Sequence, residues 1–281
     1  MKLRSITAVF ILLTIIPLII FSGYIIYPIA LALLCFAATY EMLRALKVER
    51  EWLISVPAYI FAPALPFACY FVKNTSSNLY LLSIAGLMFT YLIYCMGVAV
   101  FSKGRISFKV ISEVFASVTY VIVSFASLSI VRYIDKEVGV YTLALVFIVS
   151  WISDSCAYIV GSLIGRHKLI PEISPKKTVE GAIGGVVCAI IANLLFGMIL
   201  DLSIEGMKVN YIVLGILGLV LSVVSQLGDL IASLIKREHN VKDYGNILPG
   251  HGGIMDRFDS ILAVSTILLI MTLIFPPFVM A

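Results

Sequence analysis

The sequence predicts an all-α, polytopic integral membrane protein of about nine transmembrane helices, with a cytoplasmic N-terminus and an outside C-terminus. Composition is the first reason. Of 281 residues, 61% are hydrophobic and 13% charged, against about 25% charge in an ordinary soluble domain. The mean hydropathy of +1.09 excludes a soluble globular protein, a disordered chain and a disulfide scaffold. The spacing of charge is the second reason. None occurs between Ser5 and Tyr40, between Asn74 and Ser102, or from Ser260 onward, and a spanning helix needs roughly 20 apolar residues. The sidedness of the basic residues, given below, is the third.

The first uncharged run would measure about 54 Å as one helix, well beyond a hydrocarbon core of ~30 Å. It must turn back, and Gly23-Tyr24 and Pro28 are the natural breakers, with Tyr24 and Tyr27 at interface depth. Lys2 and Arg4 ahead of this run resemble a signal peptide, but the run exceeds the usual core of about 7–15 residues. It is expected to stay as the first span. The same reading along the chain gives spans near 5–22, 25–44, 53–72, 79–101, 110–131, 140–164, 179–200, 210–235 and 258–279.

The loops between these spans alternate in charge. One side carries Lys2, Arg4, Arg44, Lys47, Arg50, Lys103, Arg105, Lys109, Arg166, Lys168, Lys176, Lys177, Lys236, Arg237, Lys242 and Arg257, sixteen of the twenty basic residues. The other holds Lys73, Arg132, Lys136 and Lys208. Positive loops stay cytoplasmic, which sets the orientation. The five cysteines, Cys35, Cys69, Cys95, Cys156 and Cys188, lie inside apolar runs without a C-x-x-C pair. They read as packing residues.

The chain divides by character into 1–135, lipid-facing packing helices, and 136–281, helices with the chemically rich cytoplasmic loops. One such loop runs Gly165-Arg166-His167-Lys168 to Ser174-Pro175-Lys176-Lys177-Thr178-Val179-Glu180-Gly181. The other runs from Lys236-Arg237 through Lys242-Asp243 and His251-Gly252-Gly253 to Asp256-Arg257-Phe258-Asp259. Asp154 sits in the sixth span, and Asp229 sits in the eighth with no other charge from Val209 to Ile235. Each costs about 2.5–3.5 kcal/mol at a helix centre, so each needs a partner or a wet cavity. Structural salt bridges would also retain them. Asp256 and Asp259, three apart, share a helix face and stand in a first turn. Capping would suffice for that pair alone.

Their convergence with basic, glycine-rich loops suggests more. Carboxylates hold Mg²⁺, whose other positions go to water and substrate phosphates. Lysine and arginine neutralise phosphates, and glycine admits backbone N–H donors. The residues ask for a polyphosphate and a divalent metal at the cytoplasmic face. Zinc spacing, a P-loop, a nucleophile elbow and a dinucleotide fingerprint are all missing from the sequence.

Ser233, Lys236-Arg237, Lys242-Asp243, Gly245, Leu248-Pro249, His251-Gly252-Gly253, Asp256-Arg257 and Asp259 closely resemble the signature of the phosphatidate cytidylyltransferases, or CDP-diacylglycerol synthases. The Ser174–Gly181 run resembles the family's second cytoplasmic motif, and the likeness covers roughly residues 145–281. It implies the conversion of CTP and phosphatidic acid to CDP-diacylglycerol and pyrophosphate. It further implies Mg²⁺, with or without a second cation, on carboxylates matching Asp229 and Asp256. Asp259, three residues after Asp256, is expected as a further ligand or just behind one. Asp229, Asp256, Lys177 and His251 are the expected catalytic residues. Lys176, Lys236, Arg237, Lys242, Asp243, Arg257 and Asp154 are expected at the substrates, with Gly252 and Gly253 giving backbone donors. CTP, phosphatidic acid and membrane lipids are the expected partners; no nucleic acid is expected, and a homodimer is compatible. The expected location is a bacterial inner membrane, with the site facing the cytoplasm. Two other functions share features with the sequence. A CTP-dependent polyprenol or dolichol kinase would use the same nucleotide and metal, and an ion-coupled transporter would also keep intramembrane acids. The intact His-Gly-Gly and Asp-Arg-x-Asp block favours the cytidylyltransferase, and the absence of repeated halves disfavours the transporter.

Overall fold

The computed structural model describes residues 14–71, 77–247 and 252–280. The start of the first expected span, Lys2, Arg4, Lys73 and His251 lie outside the described residues. Residues 14–20 are helical. Eight long helices follow: α1 (Ile26–Ala45), α2 (Trp52–Phe71), α3 (Ser77–Phe101), α4 (Phe108–Tyr133), α5 (Gly139–Ile164), α6 (Val179–Ser203), α7 (Tyr211–Glu238) and α8 (Met255–Ile274). All eight are long and apolar enough to cross a membrane. They coincide in order with the second to ninth expected spans, mostly within three residues.

Local chemistry fixes several helix starts. Ser107, Thr178 and Asn210 each accept a hydrogen bond from the amide three residues on, at Val110, Gly181 and Val213. These side chains satisfy donors that a helix leaves unpaired. Lys236 and Arg237 sit in the last turn of α7, where cations suit the dipole. α2 contains Pro57, Pro63 and Pro66, a density that helices in lipid tolerate when neighbours satisfy the freed backbone.

Two departures from the all-helical expectation occur. β1 (Lys168–Ile170) and β2 (Ser174–Thr178) form an antiparallel ribbon with Lys168 opposite Thr178 and Ile170 opposite Ser174. β3 (Met207–Val209) pairs with β4 (Phe278–Met280). The last span is expected to reach 279, but α8 ends at Ile274, just before Pro276-Pro277. Proline cannot continue the helical bonding, and the freed chain adds a strand instead.

The chain forms two compact units. The first comprises Met1–Ile134 and Val241–Arg257, the second Asp135–Asn240 and Phe258–Ala281. In the first, α1, α2 and α4 pack on one another around Tyr27, Met42, Leu43, Ile54, Ile122 and Phe125. Tyr27 donates to Leu128 O at 3.2 Å and Ser129 to Pro66 O at 2.9 Å. Large apolar side chains such as Leu82 and Phe101 point outward, as a lipid-facing surface requires.

In the second unit α5 lies along α6, and both contact α7. Glycine makes the closest approach. A Cβ at Gly181 would stand 2.5 Å from Ala157 O, and one at Gly185 2.7 Å from Ser153 O. Neither neighbour is a flexible side-chain tip. Gly185→Leu is therefore expected to prise α5 from α6 and lower the thermal midpoint of the detergent-purified protein by several degrees. Gly86→Leu, where nothing lies within 4 Å, serves as the control and should melt like wild type.

Candidate active site

The polar residues of the second unit gather where the β1–β2 ribbon meets α7. Alternation along β2 leaves Lys176 exposed and turns Lys177 inward. Lys177 Nζ lies 2.7 Å from Asp229 Oδ2, with both side chains about a quarter to a third exposed (24% and 32%). The same ammonium donates to Gln226 O at 3.4 Å. Gln226 and Asp229 are three apart on α7 and share a face. Ser233, one turn further, donates to Asp229 Oδ1 at 3.4 Å.

A buried hydrogen-bonded group supports this pair. Gln226 Nε2 donates to Ala182 O at 3.1 Å and to Ser153 Oγ at 3.5 Å. Ser153 and Ser222 hydroxyls meet at 2.7 Å. Ser153 precedes Asp154, so the group links the segments of α5, α6 and α7 that carry the charged residues.

Asp154 Oδ2 accepts from Ser260 Oγ at 3.1 Å, and Asp259 Oδ1 accepts from Ser260 N at 2.8 Å. One serine on α8 thus holds two acids. Gly228 explains how Asp229 joins them. A Cβ there would stand 2.7 Å from Asp259 O and from Ala263 Cβ, so only glycine lets α7 approach α8 this closely. Asp154, Asp229 and Asp259 lie close enough for their charges to act on one another, and the charges of Lys177 and Lys236 act on them too. This is a largely buried acidic group bordered by lysines.

The ribbon is tied down at both ends. Glu180, in the first turn of α6, accepts from Arg166 N at 3.1 Å and from His167 N at 3.2 Å, and meets His167 Nδ1 at 2.6 Å. Arg237 Nε donates to Ile173 O at 3.5 Å in the ribbon's turn.

The first unit contains the rest of the signature. Lys242, Asp243 and Arg257 are exposed. Asp256 is buried, and its Oδ2 accepts from Tyr244 N at 2.9 Å and Gly253 N at 3.0 Å. Gly253 is expected from its motif to offer its N–H to a phosphate, but that N–H is turned inward to Asp256. Gly252 has φ +82, and a Cβ there would sit 2.9 Å from Asp256 Oδ2, so the position excludes side chains twice over. Glu41, absent from the expected site residues, lies against the same loop. In the sequence it stands near the end of the second expected span, three residues before Arg44, and gives no signal of a site.

Among the described residues no three His, Cys, Asp or Glu side chains form a ready-made metal cage. Mg²⁺ does not ask for one, since one or two carboxylates plus water and phosphate oxygens are its usual set. The hard carboxylate oxygens of Asp229, Asp259 and Asp154 fit that demand.

This arrangement suits the handling of a phosphorylated substrate at a membrane surface, and similarity to known proteins defines the class. A sequence model of the cytidylyltransferase family matches residues 2–275, so the chain belongs to that family. The likeness extends well beyond the 145–281 region that the motifs alone mark. The chain is 37% identical over 270 residues to a Staphylococcus haemolyticus protein named phosphatidate cytidylyltransferase, covering 95% of this chain and 97% of that one. A Staphylococcus epidermidis protein of the same name is 37% identical over 275 residues, covering 97% of this chain and all of its own length. One from Staphylococcus aureus is 36% identical over 270 residues, covering 95% of this chain and 97% of that one. With eight long apolar helices among its described residues, the chain is an integral membrane enzyme.

Proposed function

We propose that the protein converts CTP and phosphatidic acid to CDP-diacylglycerol and pyrophosphate, as a phosphatidate cytidylyltransferase of phospholipid biosynthesis. The observation that carries the reading is the Lys177–Asp229 pair, 2.7 Å apart, which ties the Ser174–Gly181 motif to the helix leading into the signature, within a family of cytidylyltransferases. A phosphatidate headgroup has a second pKa near 6, so at neutral pH much of it is already a dianionic nucleophile. Its oxygen attacks the α-phosphorus of CTP. A new P–O bond forms there, the bond from the α-phosphorus to the bridging oxygen breaks, and pyrophosphate leaves with that oxygen. No general base is required.

The barrier is repulsion between two polyanions, so the protein's work is positioning and charge neutralisation. Lys177, Lys236 and Arg237 bind phosphates, and exposed Lys176, Lys242 and Arg257 draw CTP to the surface. Mg²⁺ would be held by Asp229 and Asp259 with Asp154 beside them, and when bound it would neutralise phosphate charge. Asp256 remains a candidate ligand by its motif position, and its Oδ2 already ties the loop together. The ribbon's two ties, at Glu180 and Arg237, keep Lys177 over Asp229.

Purified protein in detergent, given CTP, phosphatidic acid and Mg²⁺, should release pyrophosphate and CDP-lipid in equal amounts, and neither when one substrate is withheld. Pyrophosphate release independent of phosphatidic acid would contradict this. The site is assigned to the cytoplasmic face of a bacterial inner membrane by the distribution of basic residues. A reporter fused after Ala281 should read outside, and a tag between 236 and 247 should read cytoplasmic. The reverse result would overturn the orientation.

A further inference from the structure

Glu41 is the buried acid that the reaction above does not use. It lies near the end of α1 and is 1% exposed. Its two oxygens accept from consecutive amides, Oε1 from Ile254 N at 3.1 Å and Oε2 from Met255 N at 2.8 Å. Those amides open α8, where a helix leaves its first donors unpaired and its dipole favours an anion. Such caps ordinarily come from the residue next to the helix in sequence. This one comes from 213 positions earlier.

The loop fits the carboxylate from its other side as well. A Cβ on Gly245 or on Gly253 would overlap the Glu41 carboxylate oxygens. Gly245 and Gly253 are therefore glycines because Glu41 is there. Asp256 closes the same segment internally through Tyr244 N and Gly253 N. A buried carboxylate is costly unless its hydrogen bonds are made, and an apolar residue would pack α1 at less cost. Among the described residues, the hydrogen bonds that the Glu41 carboxylate accepts both come from the junction of loop and helix.

We propose that Glu41 is a positioning residue for nucleotide use. It fixes Gly245, Gly253 and the first turn of α8, which are the last glycine of the His-Gly-Gly motif and the segments on either side of the motif, in the arrangement that receives the triphosphate. The inference rests on the reading of the reaction given above. It predicts an effect on CTP rather than on the lipid. Glu41→Gln keeps the volume but presents an NH₂ group to a backbone N–H. Its KM for CTP should rise about tenfold or more and its kcat should fall, while its KM for phosphatidic acid and its elution as folded protein stay unchanged. Gly253→Ala, which drives a methyl group into the Glu41 carboxylate, should do the same. Combined with Glu41→Ser, which vacates that space, Gly253→Ala should add little further loss, because the two changes break one contact.

Unchanged CTP kinetics in Glu41→Gln, equal losses toward both substrates, or fully additive effects in the double variant would each overturn the proposal. If Glu41→Gln yields no folded protein, Gly253→Ala, Glu41→Ser and the double variant decide by the same criterion of additivity. A wild type that binds CTP but forms no CDP-lipid would remove the assigned reaction. The test of the clamp would then stand on CTP affinity alone.

Discussion

Asp229→Asn should lower turnover by roughly a hundredfold or more while leaving the yield of folded protein unchanged. The substitution is nearly isosteric, and an uncharged amide enters a span at less cost than an acid. What it removes is one negative charge beside Lys177, at the place where α7, α8 and the ribbon meet. If the acid served only to neutralise Lys177, a second substitution should repair the loss. Removing both charges of a structural pair is often tolerated, whereas removing one leaves the other uncompensated. The double variant Lys177→Met/Asp229→Asn therefore separates the roles. It should fold and remain inactive. Recovery of near-normal turnover in the double variant would reduce the pair to a structural salt bridge.

Lys177→Ala is expected to lower kcat/KM for CTP roughly ten- to a hundredfold, since a hydrogen bond to a charged group is worth about 1.5–3 kcal/mol. The reason for a selective effect is its place on β2. It points inward to Asp229 while its neighbour Lys176 is exposed. Lys176→Ala should accordingly cost less than about threefold at moderate salt, because exposed charges are screened. Equal losses at the two lysines would mean that β2 contributes only general positive charge, and the inward-facing role of Lys177 would be withdrawn.

The helices are legible in the sequence because lipid imposes a simple rule. A span must be long, apolar and internally hydrogen-bonded, and the eight long helices follow the expected spans. The two ribbons are not legible. Lys168–Ile170 and Ser174–Thr178 are too short and too polar for a strand pattern, and their closure depends on Val179 N reaching His167 O at 2.9 Å. β4 is hidden because Phe278–Met280 continues the apolar run of the last span.

In the site, the acids stand out because charge inside a span is rare, so Asp154 and Asp229 are marked by sequence position alone. Their supports are not. Ser260, which donates to Asp154, and Gly228, which lets α7 reach Asp259, are ordinary residues whose importance comes from a neighbour distant in sequence. Glu41 is hidden for the same reason. It stands three residues before Arg44, at the expected end of the second span, where a charged residue is unremarked. Its partners at Ile254 and Met255 lie in a different part of the chain, and no rule of spacing connects them.

The most direct test follows the label in CTP. Protein in detergent is incubated with phosphatidic acid, Mg²⁺ and CTP labelled either at the α- or at the γ-phosphate, and the lipid fraction is counted. Attack at the α-phosphorus predicts that α-label enters the lipid as CDP-diacylglycerol while γ-label leaves as pyrophosphate. Label from the γ-position in the lipid, with none from the α-position, would instead make the protein a CTP-dependent lipid kinase and contradict the account.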